Sequence, residues 1–133
     1  MKKRIITFGT FDMFHVGHLN ILERAKALGS ELIVGVSSDN LNFSKKSRYP
    51  ICSEKDRSHI VSALRCVDAV FIEESLELKA QYIKEHNADC LVMGDDWVGR
   101  FDDMKAFCEV IYLPRTPSIS TTEIIEIVRS TDS

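Results

Sequence analysis

Apolar and polar positions along this 133-residue chain alternate between strand-like runs and helical stripes. RIITFGT is a short apolar run ending at glycine, which predicts a first strand. GHLNILERAKALG then places Leu19, Leu22, Ala25 and Leu28 on one helical stripe closed by Gly29. ELIVGVS returns to a β-branched strand, and the polar SDNLNFSKKSRYPICS that follows, with Pro50 inside it, reads as a functional loop. Ser53 can cap the next helix, with Asp56 where a capping-box acid would sit and Ile60, Ala63 and Leu64 as the apolar face. DAVFIEE is a third strand, Ser75 caps a helix running toward His86, and DCLVMGDD is a fourth strand ending in glycine and acids. WVGRFDDMKAF is poorly patterned, CEVIYLP is a fifth strand, and the second half of TPSISTTEIIEIVRS is helical.

Nearly continuous apolar strands suit a sheet covered by helices on both faces. The order of elements predicts a Rossmann-like α/β fold: a doubly wound, mostly parallel five-stranded sheet in a single domain, 1–133. In such folds ligands bind beyond the carboxyl ends of the strands. Gly9 to His18, the Asp39–Cys52 loop, Gly94 to Trp97 and Arg115 to Thr122 all follow strands, so four polar clusters are expected on one rim.

Composition narrows the classes of function. A chain that is 44% hydrophobic and 28% charged is that of a soluble globular protein. Its formal charge of −3 argues against a broad nucleic-acid surface while leaving room for a basic pocket. The start MKKRIITFGTF is too short and too polar for a signal peptide. Nothing approaches the ~18 apolar residues of a membrane span, so no membrane insertion and a cytoplasmic location are expected. Cys52, Cys66, Cys90 and Cys108 form no CxxC pair and read as reduced, mostly buried thiols, in preference to a zinc site or disulfides.

The densest chemistry is GTFDMFHVGH, Gly9 to His18. A metal site on His15 and His18 needs a third ligand; Asp12 is available, but no HExxH is present. Gly17 lies at the strand-to-helix turn, where free N–H groups and histidine donors could meet a phosphate. Neither a GxGxxG fingerprint nor a Walker A loop is present. On the residues alone, phosphate contact, packing or capping, and metal or general-base chemistry remain three open readings.

GTFDMFHVGH resembles the GxFDxxHxGH signature of the cytidylyltransferase and related nucleotidyltransferase superfamily, and Arg115 to Thr122, RTPSISTT, resembles its second signature, RTxGISTT. LERAKALG, VMGDDW and YLPRT are similar to the bacterial CTP:glycerol-3-phosphate cytidylyltransferases in particular, and the likeness covers essentially the whole chain. It implies a nucleotidyltransferase fold and transfer of CMP from CTP to glycerol 3-phosphate. The products would be CDP-glycerol, for teichoic acid or another glycerol-phosphate polymer, and pyrophosphate. A phosphate monoester is already a nucleophile near neutral pH, so alignment and charge stabilisation suffice without a general base. The alternatives are an adenylyl- or cytidylyltransferase acting on another acceptor, such as a heptose phosphate, and a catalytically silent nucleotide-binding protein.

The same resemblance implies the site residues. His15 and His18 contact the triphosphate and its transition state, while Gly9, Thr10 and Phe11 place nucleotide and phosphate. Asp12 belongs with the acceptor, orienting a histidine or water or capping the turn. Lys45, favoured slightly over Lys46, reaches the phosphates; Arg57 and, less directly, Arg65 serve the acceptor phosphate. Gly94 and Asp95 lie beside base and ribose, with Trp97 toward the substrate or in a packing role. Arg115, Thr116, Ser120 and Thr121 clasp the β- and γ-phosphates. Adjacent Asp95 and Asp96 invite a magnesium site, but the expected magnesium ion is carried by the triphosphate, with no protein metal site. A homodimer is implied as well. Two departures stand out: Pro117-Ser118 replaces x-Gly before ISTT, where positive φ costs serine more than glycine, and KKSRYPICSEKDR differs from the form expected in close relatives.

Overall fold

The computed structural model describes residues 3–115 and 120–130. Five strands, β1 (Arg4–Gly9), β2 (Glu31–Ser37), β3 (Ala69–Glu73), β4 (Cys90–Gly94) and β5 (Glu109–Leu113), form one sheet in the order β3-β2-β1-β4-β5. Every pairing is parallel, with Ile6 opposite Ile33 and Leu91, and Val92 opposite Ile111. The expected five-stranded sheet with helices on both faces is therefore the observed one, and the order reverses at β1, where the chain steps across to β4.

Alternation along the strands feeds two apolar layers. Ile5, Leu32, Val34, Val36, Cys90 and Val92 pack with Leu22 and Ala25 of α1 (Val16–Ala27) and Val61 of α3 (Glu54–Ser62). Ile6, Phe8, Ile33, Leu91 and Met93 face the other way, against Tyr82 and Ile83 of α4 (Lys79–Glu85). Burial on both faces explains why the strands read as continuous apolar runs. The final helix, α5 (Thr121–Ser130), anchors itself through buried Ile125.

Local details depart from expectation for traceable reasons. The polar segment after β2 holds a helix, α2 (Asp39–Lys46), where a loop was expected. Ser38 caps it by accepting from Leu41 N at 3.0 Å, Asp39 and the Lys45–Lys46 pair sit at the ends that complement the helix dipole, and Ser47 ends it at φ 58°. On α1 only Leu22 and Ala25 are buried. A strict three-residue spacing drifts around a 3.6-residue turn, so Leu28 has rotated off the core to 37% exposure. On α3, Ser53 caps as expected, but Ile60 is exposed and the buried face is Arg57 and Val61, one turn apart. Ser75 caps a 3₁₀ turn, Leu76–Leu78, that leads into α4, and the unpatterned stretch after β4 contains two more 3₁₀ turns, Asp95–Trp97 and Asp102–Ala106. No helix among the described residues is long and apolar enough to cross a membrane.

Candidate active site

The carboxyl ends of the strands open into a cleft of about 1000 Å³, lined from β1, the α1 N-terminus, α2, the β3–α4 turn, the segment after β4, and α5. Its centre is the Gly9–His18 turn. Phe11 and Met13 hold left-handed backbone angles, φ 55° and 51°, sparsely populated for such side chains. The Phe11 ring folds back over Gly9 so closely that a Cβ there would lie 2.8 Å from it, which is why glycine ends β1.

His15 is the N-cap of α1. Its Nδ1 accepts from Gly17 N–H at 3.0 Å, while His18 Nδ1 accepts from His15 N–H at 3.2 Å, a capping box built from two imidazoles. The rings stack with centroids 3.8 Å apart. Since both Nδ1 atoms accept, each neutral ring carries its proton on Nε2. His15 Nε2 is buried with no hydrogen-bond partner among the described residues, so the turn holds an unsatisfied donor. Burial pushes His18 down to about 4, helped by neighbouring His15; burial and then Arg115 lower His15. Both are neutral near pH 7, and an imidazole with a pKa near 4 makes a weak proton acceptor there. Capping thus uses the Nδ1 atoms of both rings and leaves the Nε2 atoms outside the cap. The Gly17 N–H that seemed available to a phosphate is used by His15.

The second signature meets the first directly: Thr121 Oγ1 donates to Asp12 O at 2.7 Å, and Ser120 Oγ accepts from Glu123 N at the start of α5. Arg115, Ser120, Thr121 and Thr122 line the cleft; Thr116, like Pro117 and Ser118, lies outside the described residues. Beyond β4, Gly94, Asp96 and Trp97 line the cleft, and the Arg100 guanidinium lies 5.7 Å from the Trp97 ring centroid. Asp95, expected beside the nucleotide, is exposed and outside the lining; the 3₁₀ turn presents Asp96 in its place.

On the other side, Lys45 and Lys46 both line the cleft. Lys45 is the half-buried one, donating to Ser37 Oγ at 3.2 Å, and burial lowers its pKa. Of the other expected acceptor contacts, Asp12 lines the cleft, whereas Arg57 and Arg65 do not. Asp12 commits both carboxylate oxygens to the N–H groups of Ile51 and Cys52, at 2.7 and 2.8 Å, tying the first signature to the loop after α2. Arg57 is 1% exposed, and its guanidinium donates to Cys52 O, Thr10 O, Ser37 O and Asp39 Oδ1, so it braces the cleft from behind. Arg65 is exposed just before β3, at the opposite end of the sheet from the rim.

The cleft also contains residues that pattern alone did not single out. Lys79, 3% exposed, pairs with Glu73 at 2.8 Å and places Nζ 3.7 Å from the centroid of the Phe8 ring. Arg48, Arg100 and Arg129 add charge, and Asn42 accepts from Thr10 Oγ1 at 2.8 Å. Glu73 at a strand end and Lys79 six residues on look like an ordinary surface pair in sequence, and only packing buries them. Among the described residues no three His, Cys, Asp or Glu side chains gather as a metal cluster.

A family model described as cytidylyltransferase-like matches residues 6–127. The chain is 50% identical over 124 residues to the glycerol-3-phosphate cytidylyltransferase of Bacillus subtilis, covering 93% of this chain and 95% of that one. It is 44% identical to the enzyme of that name from Staphylococcus aureus, over 92% of each chain. It is also 38% identical to the bifunctional protein HldE of Helicobacter pylori, of which it spans 28%. Among solved structures, a lipopolysaccharide core biosynthesis protein from Thermoplasma volcanium shares the fold, with a TM-score of 0.74, 23% identity, and coverage of 87% of this chain and 99% of that one. With the family match running from β1 into α5 and relatives of its own length at half identity, this chain belongs to the cytidylyltransferase-like family.

Proposed function

We propose that the protein transfers CMP from CTP to glycerol 3-phosphate, releasing pyrophosphate and forming CDP-glycerol. The observation that carries this reading is the buried, unpartnered His15 Nε2 donor at the centre of a cleft with cationic groups on both sides. Strand order separates the two substrates. Groups after β4 and β5 (Gly94, Asp96, Trp97 and Arg115), with Ser120 and Thr121 of α5, take the nucleotide. Lys45 and Lys79, beside β2 and β3, take the acceptor phosphate. The stacked histidines stand between them at the N-terminus of α1, just after β1, where the phosphoryl group changes hands.

An acceptor phosphate oxygen attacks the α-phosphorus as the bond to the β-bridging oxygen breaks, and pyrophosphate departs with that electron pair. The Nε2–H groups of His15 and His18 donate to non-bridging oxygens as charge grows on them; preorganised donors of this kind are worth ~10²–10³ in rate. Arg115 and the α5 N-terminus hold the β- and γ-phosphates. A magnesium ion bound with the triphosphate would supply charge neutralisation for the departing pyrophosphate. Asp12 and Glu73 are already engaged by protein donors, so of the carboxylates lining the cleft Asp96 is the one that would be available to such an ion. A homodimer belongs to the same reading, and mass in solution by light scattering tests it.

The test is pyrophosphate release with magnesium and CTP, ATP, UTP or GTP against glycerol 3-phosphate, heptose phosphates and phosphoethanolamine. CTP with glycerol 3-phosphate should be the active pair; activity with ATP alone would overturn the base assignment. Lys79→Met should raise the glycerol 3-phosphate KM at least ~10-fold, the loss of one charge-assisted phosphate contact. An unchanged KM would remove Lys79 from the acceptor subsite.

A further inference from the structure

With Lys45 and Lys79 assigned to the acceptor, the carboxylate of Glu73, at the end of β3 and 1% exposed, stands in the cleft wall without a role in the reaction. Glu73 Oε2 accepts from Lys79 Nζ at 2.8 Å, and Oε1 accepts from Ser37 Oγ at 3.4 Å. The same hydroxyl oxygen accepts from Lys45 Nζ at 3.2 Å. Lys79, Glu73, Ser37 and Lys45 therefore form a ladder running from α4 across the ends of β3 and β2 to α2.

Two ammonium groups on one cleft wall, Lys79 buried and Lys45 half-buried, disfavour each other. Burial is the largest influence lowering both Lys45 and Lys79, and Lys79 adds to the depression of Lys45. Glu73 acts in the opposite sense on both. The other groups facing the ladder are Lys46 beside Lys45 on α2, Arg57 behind Ser37 on α3, and the Phe8 and Phe101 rings around Lys79 Nζ. As a purely stabilising device the ion pair is a poor one, since buried pairs are commonly matched by apolar side chains of similar volume. Its place in the wall of the substrate cleft supplies the better reason for it. An ammonium has three N–H donors; one of those on Lys79 goes to Glu73, which fixes where the remainder point.

We infer that Glu73 is a positioning residue for the acceptor: acting directly on Lys79, and through the Ser37 hydroxyl on Lys45, it keeps both ammonium groups charged and aimed at a single phosphate dianion. This rests on the assignment of those two lysines to the acceptor phosphate.

Steady-state kinetics of Glu73→Gln and Ser37→Ala test it, with both substrates varied and melting temperatures recorded. Glu73→Gln should raise the glycerol 3-phosphate KM ~10-fold or more while the CTP KM stays within ~2-fold, because only the acceptor subsite loses its charge. Ser37→Ala should give a smaller rise in the same KM. In Glu73→Gln the acceptor KM should also climb relative to wild type as pH rises and Lys79 gives up its proton more readily, a dependence that a packing defect would not produce. An unchanged or lower acceptor KM, or a parallel rise in both KM values, would overturn the inference. If Glu73→Gln does not fold, Ser37→Ala decides alone. Should Lys79→Met leave the acceptor KM unchanged, or wild type reject glycerol 3-phosphate, the parent assignment fails. A Lys79→Met effect without a Glu73→Gln effect removes only the role of Glu73.

Discussion

His15→Asn separates the cap that one ring forms from the donor role proposed for it. The His15 side chain caps α1 through Nδ1, and its Nε2 is the buried donor without a partner. Asparagine is among the best N-cap residues, so its side-chain oxygen can take over the bond from Gly17 N–H, whereas it has no atom to replace Nε2. The melting temperature should stay near wild type. The chemical step should lose a transition-state donor, which costs ~10²–10³ in kcat, or ~3–4 kcal/mol. His15→Ala removes both functions, so ~1 kcal/mol of stability should go along with a similar loss of rate. The assay is pyrophosphate release at saturating CTP and glycerol 3-phosphate, beside thermal unfolding of all three proteins. If His15→Asn keeps more than about a third of the wild-type kcat, the donor role is refuted, since that corresponds to well under ~1 kcal/mol.

Two further predictions concern pH and the brace behind the cleft. His18 falls from its ordinary 6.5 to about 4 on folding, so as pH drops through 6.5 the unfolded chain takes up a proton that the folded protein refuses. Stability should decline between pH 6.5 and 4 and be flat in this contribution above 6.5, by up to ~3 kcal/mol at ~1.4 kcal/mol per pH unit. His18→Gln, which keeps a capping-box acceptor, should flatten that slope in urea unfolding and slow the chemical step at least ~100-fold; parallel stability curves for the two proteins would exclude the histidine as the cause. Arg57→Lys replaces a fork with a point charge and leaves several of Cys52 O, Thr10 O, Ser37 O and Asp39 unpaired. It should cost ~2–4 kcal/mol in urea unfolding, and an unchanged midpoint would show that the brace is dispensable.

Much of this protein is legible in its sequence, because periodicity and turn chemistry are local. The apolar runs mark all five strands, their continuity announces a sheet buried on both faces, and the positions after the strands place GTFDMFHVGH, Lys45 and Ser120 on one rim. Even α2, mistaken for a loop, carried local signals in its Ser38 cap, its acidic start and its lysine end. What the tertiary structure decided is the fate of the charged side chains. Glu73 and Lys79 look in sequence like any surface charge, and Asp12 and Arg57 read as acceptor contacts, yet packing buries all four and gives each polar partners within the protein. Asp96 faces the cleft instead of Asp95, and Arg65 lies at the far end of the sheet. The physical reason is that a buried charge is tolerated only where partners from other elements surround it. Those partners, from Thr10 to Asp39 around one guanidinium, come together only when the sheet closes.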